Sequence, residues 1–136
     1  MKLSVCVDAV YEGENILQAI KKVKKEFWSW EDKDIEALEA YQQKEGIEIS
    51  AFCTGFVSLL EADERQRYIE SLERTIETAK RLNCRKIISQ TGGDTGAPRE
   101  VQHKNLTEGL KACVPYLEKA GITLVVEPLN IRVDHK

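Results

Sequence analysis

Glu127 holds the best position for chemistry in this chain. It follows the run Ile122-Thr-Leu-Val-Val126 and precedes Pro128-Leu-Asn130. A carboxylate at the carboxyl end of a strand stands where α/β folds collect their reacting groups. There it can ligate a divalent cation or take a proton from carbon; the plainer reading is a loop-start glutamate in a salt bridge. Pro128 stiffens the exit. Asn130 is suited to orienting a hydroxyl or carbonyl, or is an ordinary turn residue. Asp134-His135 sets an acid beside an imidazole, a pair able to bind metal or relay a proton, or else simply solvated. Asp8 and Glu26 are further acids near strand ends, each readable as a rim charge. Trp28 and Trp30 either wall a pocket or fill the core, the core being the better reading. His103 falls on the polar side of an amphipathic helix, as a surface residue would.

Other chemistries find little support. There is no Ser-His-Asp set and no nucleophile elbow, and 2 histidines exclude a histidine-rich zinc cluster. Cys6, Cys53, Cys84 and Cys113 are widely spaced, without a C-x-x-C pair, and each lies in or beside an apolar run. They read as buried free thiols of a reduced, cytoplasmic protein. With 20 basic and 23 acidic residues the net charge is −3, so charge supplies no attraction to nucleic acid or anionic membrane. No apolar run is long enough to span a bilayer, and the start of the chain reads as a strand rather than a signal peptide.

These candidates need a scaffold, and the pattern is one of alternating strands and helices. Leu3–Val7 is a short apolar run. Glu14–Lys25 has Ile16, Ile20 and Val23 at helical spacing. Asp34–Glu45 repeats this with Ile35, Leu38 and Tyr41, and Gly46 ends it. Ile47–Cys53 is strand-like. Asp63 is placed to cap a long helix striped by Ile69, Leu72, Ile76 and Ala79. Lys86–Ser89 reads as a buried strand. Pro98 opens a helix with Val101, Leu106, Leu110 and Leu117 on one side, Pro115 favouring a kink within it, and Gly121 closing it. Ile122–Val126 lacks alternation, as a strand covered on both faces would. Residues 26–30 fit either a strand or a continuation of the helical stripe Ile16, Ile20, Val23, Phe27 and Trp30.

The joints Lys44-Glu-Gly-Ile47 and Lys119-Ala-Gly-Ile122 are alike: helix end, glycine, strand. Repeated βα units imply a parallel sheet, either open and doubly wound or closed into a barrel. The first strand is not followed by a dinucleotide fingerprint. Gly92-Gly-Asp-Thr-Gly96 lacks the lysine of a P-loop and reads as a flexible loop rather than a phosphate cradle.

Glu127-Pro-Leu-Asn130 with Val133-Asp-His-Lys136, and Glu26-Phe-Trp-Ser-Trp30 with Asp32-Lys-Asp34, resemble the hydroxypyruvate isomerase-like branch of the xylose isomerase-like barrels. Val5-Cys-Val7, Gln90-Thr-Gly92 and the Pro115 helix leading to Gly121 are similar too. The resemblance implies an α/β fold of the (β/α)8 TIM barrel type, with residues 1–136 forming one domain of about the first five βα units and the later strands lying outside it.

It implies an isomerase acting on a small hydroxy-carbonyl or sugar substrate, such as hydroxypyruvate converted to tartronate semialdehyde through an enediolate. Glu127 would be catalytic and a metal ligand; Asn130, His135 and Trp28 would bind substrate. The cofactor expected is a divalent metal such as magnesium or manganese, with no organic cofactor. Keto-sugar epimerisation is the alternative within the superfamily. The superfamily's DNA repair nucleases fit the acidic balance and few histidines poorly. A non-catalytic βα protein, associating with copies of itself through an open sheet edge, is the alternative outside enzymes. Barrels of this kind have roughly 250 residues, so these 136 residues are expected to be inactive alone.

Overall fold

The structure is a computed structural model; it describes residues 5–6, 25–31 and 33–128, with 5–6 and 25–29 as backbone only. Five strands, β1 (Val5–Cys6), β2 (Lys25–Ser29), β3 (Ile49–Cys53), β4 (Lys86–Gln90) and β5 (Thr123–Glu127), form one sheet. Every pairing is parallel and the spatial order follows the chain, β1-β2-β3-β4-β5. Three helices are described: α1 (Ile35–Glu45), α2 (Arg65–Arg81) and α3 (Arg99–Ala120). Right-handed crossovers between strands that never reverse order return every helix on the same face. That is the winding of a barrel. A doubly wound sheet would reverse its order at a switch point.

Local chemistry sets most boundaries. The Asp34 carboxylate accepts from the Ala37 amide at 3.0 Å and caps α1, and Gly46, left-handed at φ 62°, ends it. Gly121, at φ 65°, ends α3 in the same way. The start of α2 departs from expectation. Its N-cap position is Glu64, not Asp63, and no side chain caps it; Glu64 instead pairs with Arg67 at 3.0 Å. At its far end Asn83 takes the left-handed conformation, φ 48°, that glycine provides elsewhere. Residues 25–29 are strand, so the helical stripe does not continue through them, and Lys25 opens β2 rather than closing a helix. The rest of the expected helix 14–25 lies outside the described residues. Pro115 interrupts no assignment: α3 runs through it. Pro115 and Lys111, whose carbonyl loses its amide partner, are both exposed, so water can take the missing bond.

The core lies between the sheet and the helices. Phe52 and Ile87 project from β3 and β4 onto Leu38, Tyr68, Leu72, Ile76, Leu82, Cys113, Leu117 and Ile122. The stripe Ile69, Leu72, Ile76 and Ala79 is buried as its spacing requires. Of the α3 positions, Leu117 is buried and Leu106 and Leu110 pack against the core, while Val101 is exposed. Cys53, Cys84 and Cys113 are buried free thiols; burial raises the Cys84 thiol and pushes that of Cys113 up to about 11. Trp30 joins the core edge, its indole N–H donating to Thr75 Oγ1 at 2.9 Å.

One polar chain crosses the core. The Tyr68 hydroxyl on α2 donates to Ser89 Oγ at 2.7 Å, and Ser89 Oγ donates to the Gln90 carbonyl at 3.1 Å. Burial pushes the Tyr68 phenol up to about 12, against the lowering effect of its bonds to Ser89 and Thr54. A phenol raised in the folded state lends stability that is complete below its ordinary value near 10 and is lost as pH climbs towards 12. Urea unfolding between those pH values should therefore show falling stability, with part of the slope removed in Tyr68→Phe. An unchanged slope in the variant would contradict the buried neutral phenol.

Candidate functional site

The carboxyl ends of β3, β4 and β5 converge on one edge of the sheet. Register fixes who is beside whom: Ile88 faces Val125, and Gln90 faces Glu127. Register partners in a parallel pair point to the same side, about 4.8 Å apart between strands. Ile87 and Ser89 turn towards the helices and are buried. Gln90 and Glu127 therefore turn to the opposite face, the side that a closed barrel encloses. β5 does not have the double cover its apolar run suggested. Thr123, Val125 and Glu127 are exposed, and Leu124 and Val126 half-buried, because the helices cover one face only.

Glu127 is exposed and forms no ion pair among the described residues. The salt-bridge reading therefore has no partner there. The loop after β3 and the loop after β4 enclose a cavity of about 250 Å³ that reaches Gln90, the register partner of Glu127, while Glu127 itself does not line it. Thr54, Gly55, Phe56, Val57 and Ser58 form one wall; Gln90, Gly92 and Gly93 form the other. The walls are tied together where Thr54 donates its amide to the Ile88 carbonyl at 2.8 Å. A larger groove, about 670 Å³, opens between α2 and α3, lined by Trp30, Ile76 and Tyr116 among others. No strand-end acid or amide lines it, so the smaller cavity is the one positioned for chemistry.

The glycine loop is held rather than free. Asp94 Oδ1 accepts from the Gly96 amide at 2.9 Å and from Gln102 Nε2 at 2.7 Å, and Gln102 Nε2 also donates to the Ala97 carbonyl at 2.7 Å. The Gly96 amide and the Gln102 side chain hold the Asp94 carboxyl below its usual range. A carboxylate occupying the loop's donors is the opposite of a phosphate cradle.

Of the residues singled out in the sequence, Asp8, Asn130, Asp134 and His135 lie outside the described residues. Trp28 and Glu26 belong to β2 by backbone, Glu26 in register with Ala51 and Trp28 at an irregularity between Phe27 and Ser29. His103 is exposed on α3. Among the described residues no three His, Cys, Asp or Glu side chains converge as a metal site. Glu127 would offer one carboxylate, and its register partner Gln90 is neutral. The described residues do not by themselves fit a metal ion. Gln90 entered the sequence analysis only as part of the resemblance, without a site role, and the Thr54–Ser58 loop not at all. The signal available was a polar residue closing an apolar strand, one position later than the strand was expected to stop.

Residues 15–134 match the family model described as "Xylose isomerase-like TIM barrel". The chain matches no curated protein by sequence. Among solved structures it is similar to an AP endonuclease, family 2, from Brucella melitensis, with TM-score 0.86 and 18% identity over 95% of this chain and 55% of that one. A 3-keto-D-glucoside 4-epimerase from E. coli gives TM-score 0.75 and 17% identity over 93% and 56%. An IolI protein with a bound zinc atom gives TM-score 0.77 and 18% identity over 95% and 52%. The chain thus spans about half the length of these structures, and at such identities they show the fold alone.

Gly92 packs closely against Ser58 where the two loops of the cavity wall meet. Its φ is 96°, and an added Cβ would stand 2.6 Å from Ser58 Oγ and 3.3 Å from Ser58 Cα. Gly92→Ala should cost about 1–3 kcal/mol of stability through backbone strain and overpacking. Urea denaturation measures this, and an unaltered midpoint would show that the loops do not meet as described.

Proposed function

Because the chain belongs to the xylose isomerase-like TIM barrel family, we propose that its strand-end face serves an isomerase that moves a proton between adjacent carbons of a small hydroxy-carbonyl substrate. Hydroxypyruvate, converted to tartronate semialdehyde, is the substrate we assign. The observation that carries this reading is Glu127: a carboxylate without an ion-pair partner among the described residues, at the carboxyl end of a barrel strand, in register with Gln90 of the cavity wall.

The chemistry balances with one base. Glu127 takes a proton from the hydroxymethyl carbon of hydroxypyruvate. The C–H electron pair becomes the carbon–carbon double bond of an enediolate, and the former carbonyl oxygen takes the negative charge. Return of the proton to the neighbouring carbon, with transfer of the hydroxyl proton between the two oxygens, gives the aldehyde. Carboxylates in this role contribute about 10²–10⁴-fold. A divalent cation, when bound, would polarise the carbonyl and stabilise the enediolate. Glu127 is a suitable ligand type for one, as the resemblance implied, and Asn130, His135 and Trp28 remain our candidates for substrate contacts.

Keto-sugar epimerisation is the second reading. It needs the same first step, with the proton returned to the same carbon from the opposite face. The similarity in fold to the 3-keto-D-glucoside 4-epimerase and to an L-ribulose 3-epimerase supports it.

The test uses the protein expressed from its complete gene, incubated in D2O with hydroxypyruvate and, separately, with D-fructose. Deuterium should enter hydroxypyruvate beside its carbonyl; entry into the ketose alone would select epimerisation, and entry into neither would overturn the proton-transfer reading. Glu127→Gln should lose turnover by about 10²–10⁴-fold with the circular dichroism spectrum unchanged. Near-normal turnover in that variant would remove Glu127 as the base.

A further inference from the structure

Gln90 closes β4 directly beside Glu127, and its side chain has no assigned task. It is half-buried at the cavity wall, and its amide makes no hydrogen bond among the described residues. A half-buried amide whose donor and acceptor are not taken up by other described residues is open to a ligand that enters the cavity. Its backbone, by contrast, is closely held. The Gln90 carbonyl accepts from Ser89 Oγ, which accepts from the buried Tyr68 hydroxyl on α2. Tyr68 and Ser89 are respectively 1% and 0% exposed, so this chain of hydroxyls is shielded from water competition. A held backbone carrying a side-chain amide with no hydrogen bond among the described residues suits a substrate-positioning group.

The geometry points to Gln90 as a residue that binds the substrate's oxygen next to the carbon Glu127 deprotonates, with Tyr68 and Ser89 acting through it as positioning residues. The inference rests on the reading of Glu127 as the base. Register and the shared face place the two side chains on neighbouring strands. The Gln90 amide offers both an N–H donor and a carbonyl acceptor, so it can donate to an enolate oxygen or accept from the adjacent hydroxyl. The substrate class that follows carries a hydroxyl and a carbonyl on adjacent carbons. An analogue lacking that hydroxyl would leave one function of the amide unused.

The experiment uses the protein from its complete gene and the D2O exchange assay, with hydroxypyruvate and D-fructose as probes. Gln90→Met keeps the side-chain volume and removes the amide. It should lower kcat/KM about tenfold, the scale of one lost hydrogen bond, mainly through KM, with the melting temperature unchanged. Tyr68→Phe should move KM in the same direction by a smaller factor. The double variant should be no worse in kcat/KM than Gln90→Met alone, because Tyr68 acts only through Gln90. Wild-type kinetics in Gln90→Met would overturn the inference. Full additivity in the double variant would overturn the positioning role of Tyr68. If Glu127→Gln abolishes exchange while Gln90→Met exchanges normally, only the inference on Gln90 falls. If Glu127→Gln still exchanges, the reading beneath it falls first.

Discussion

Parallel strands that follow one another in order, joined by right-handed crossovers, can return their helices on one face only. Everything else in this molecule follows from that constraint. It gathers all five carboxyl ends at one edge and makes the opposite sheet face the place where their side chains meet. It gives each strand two unlike sides. Phe52, Ile87 and Ser89 face the helices and are buried; Gln90 and Glu127 face away. Slipping β5 by one residue against β4 would send Glu127 towards the helices and Val126 out. The catalytic proposal thus depends on backbone pairing before it depends on any acid.

The pairing is itself held from the helix side. Thr123 donates its amide to the Arg85 carbonyl at 2.9 Å, starting the β4–β5 ladder, and Ile122 is buried just before it. Ser89 and Tyr68 add a polar strut between α2 and the end of β4. A buried hydroxyl pair of this kind is directional, whereas the surrounding apolar contacts are not. The core therefore sets the distance of α2 from the sheet, and the strut sets where the last residue of β4 stops. The loops that wall the cavity begin at these fixed points.

Local signals were legible and non-local ones were not. Asp34, Gly46 and Gly121 mark helix ends because capping needs only residues a few positions away. The stripe Ile69, Leu72, Ile76 and Ala79 was readable because helix periodicity is local. The start of α2 was misplaced by one residue: Asp63 was expected to cap it, but Glu64 holds that position and no side chain caps the helix. Residues 25–29 carry a helical stripe but lie in a strand: pairing with β1 and β3 outweighs periodicity. Val101 suited the apolar side of α3 by spacing and is exposed, because periodicity sets a side of the helix and not what covers it.

The sequence by itself determined the repeated βα units and the family resemblance, and it singled out Glu127 as the leading candidate, because each is carried by contiguous residues. Its periodicity alone fitted either a doubly wound sheet or a barrel, the resemblance implied the barrel, and neither gave Gln90 a role. The tertiary structure bears out the barrel through strand order and sets Gln90 beside Glu127 through register. Gln90 and Glu127 are 37 positions apart in the chain and become neighbours by hydrogen bonding between β4 and β5. No periodicity or cap encodes a meeting of that kind. It arises when the buried faces of two strands settle against the same helices, and the side chains on the other face are carried into place with them.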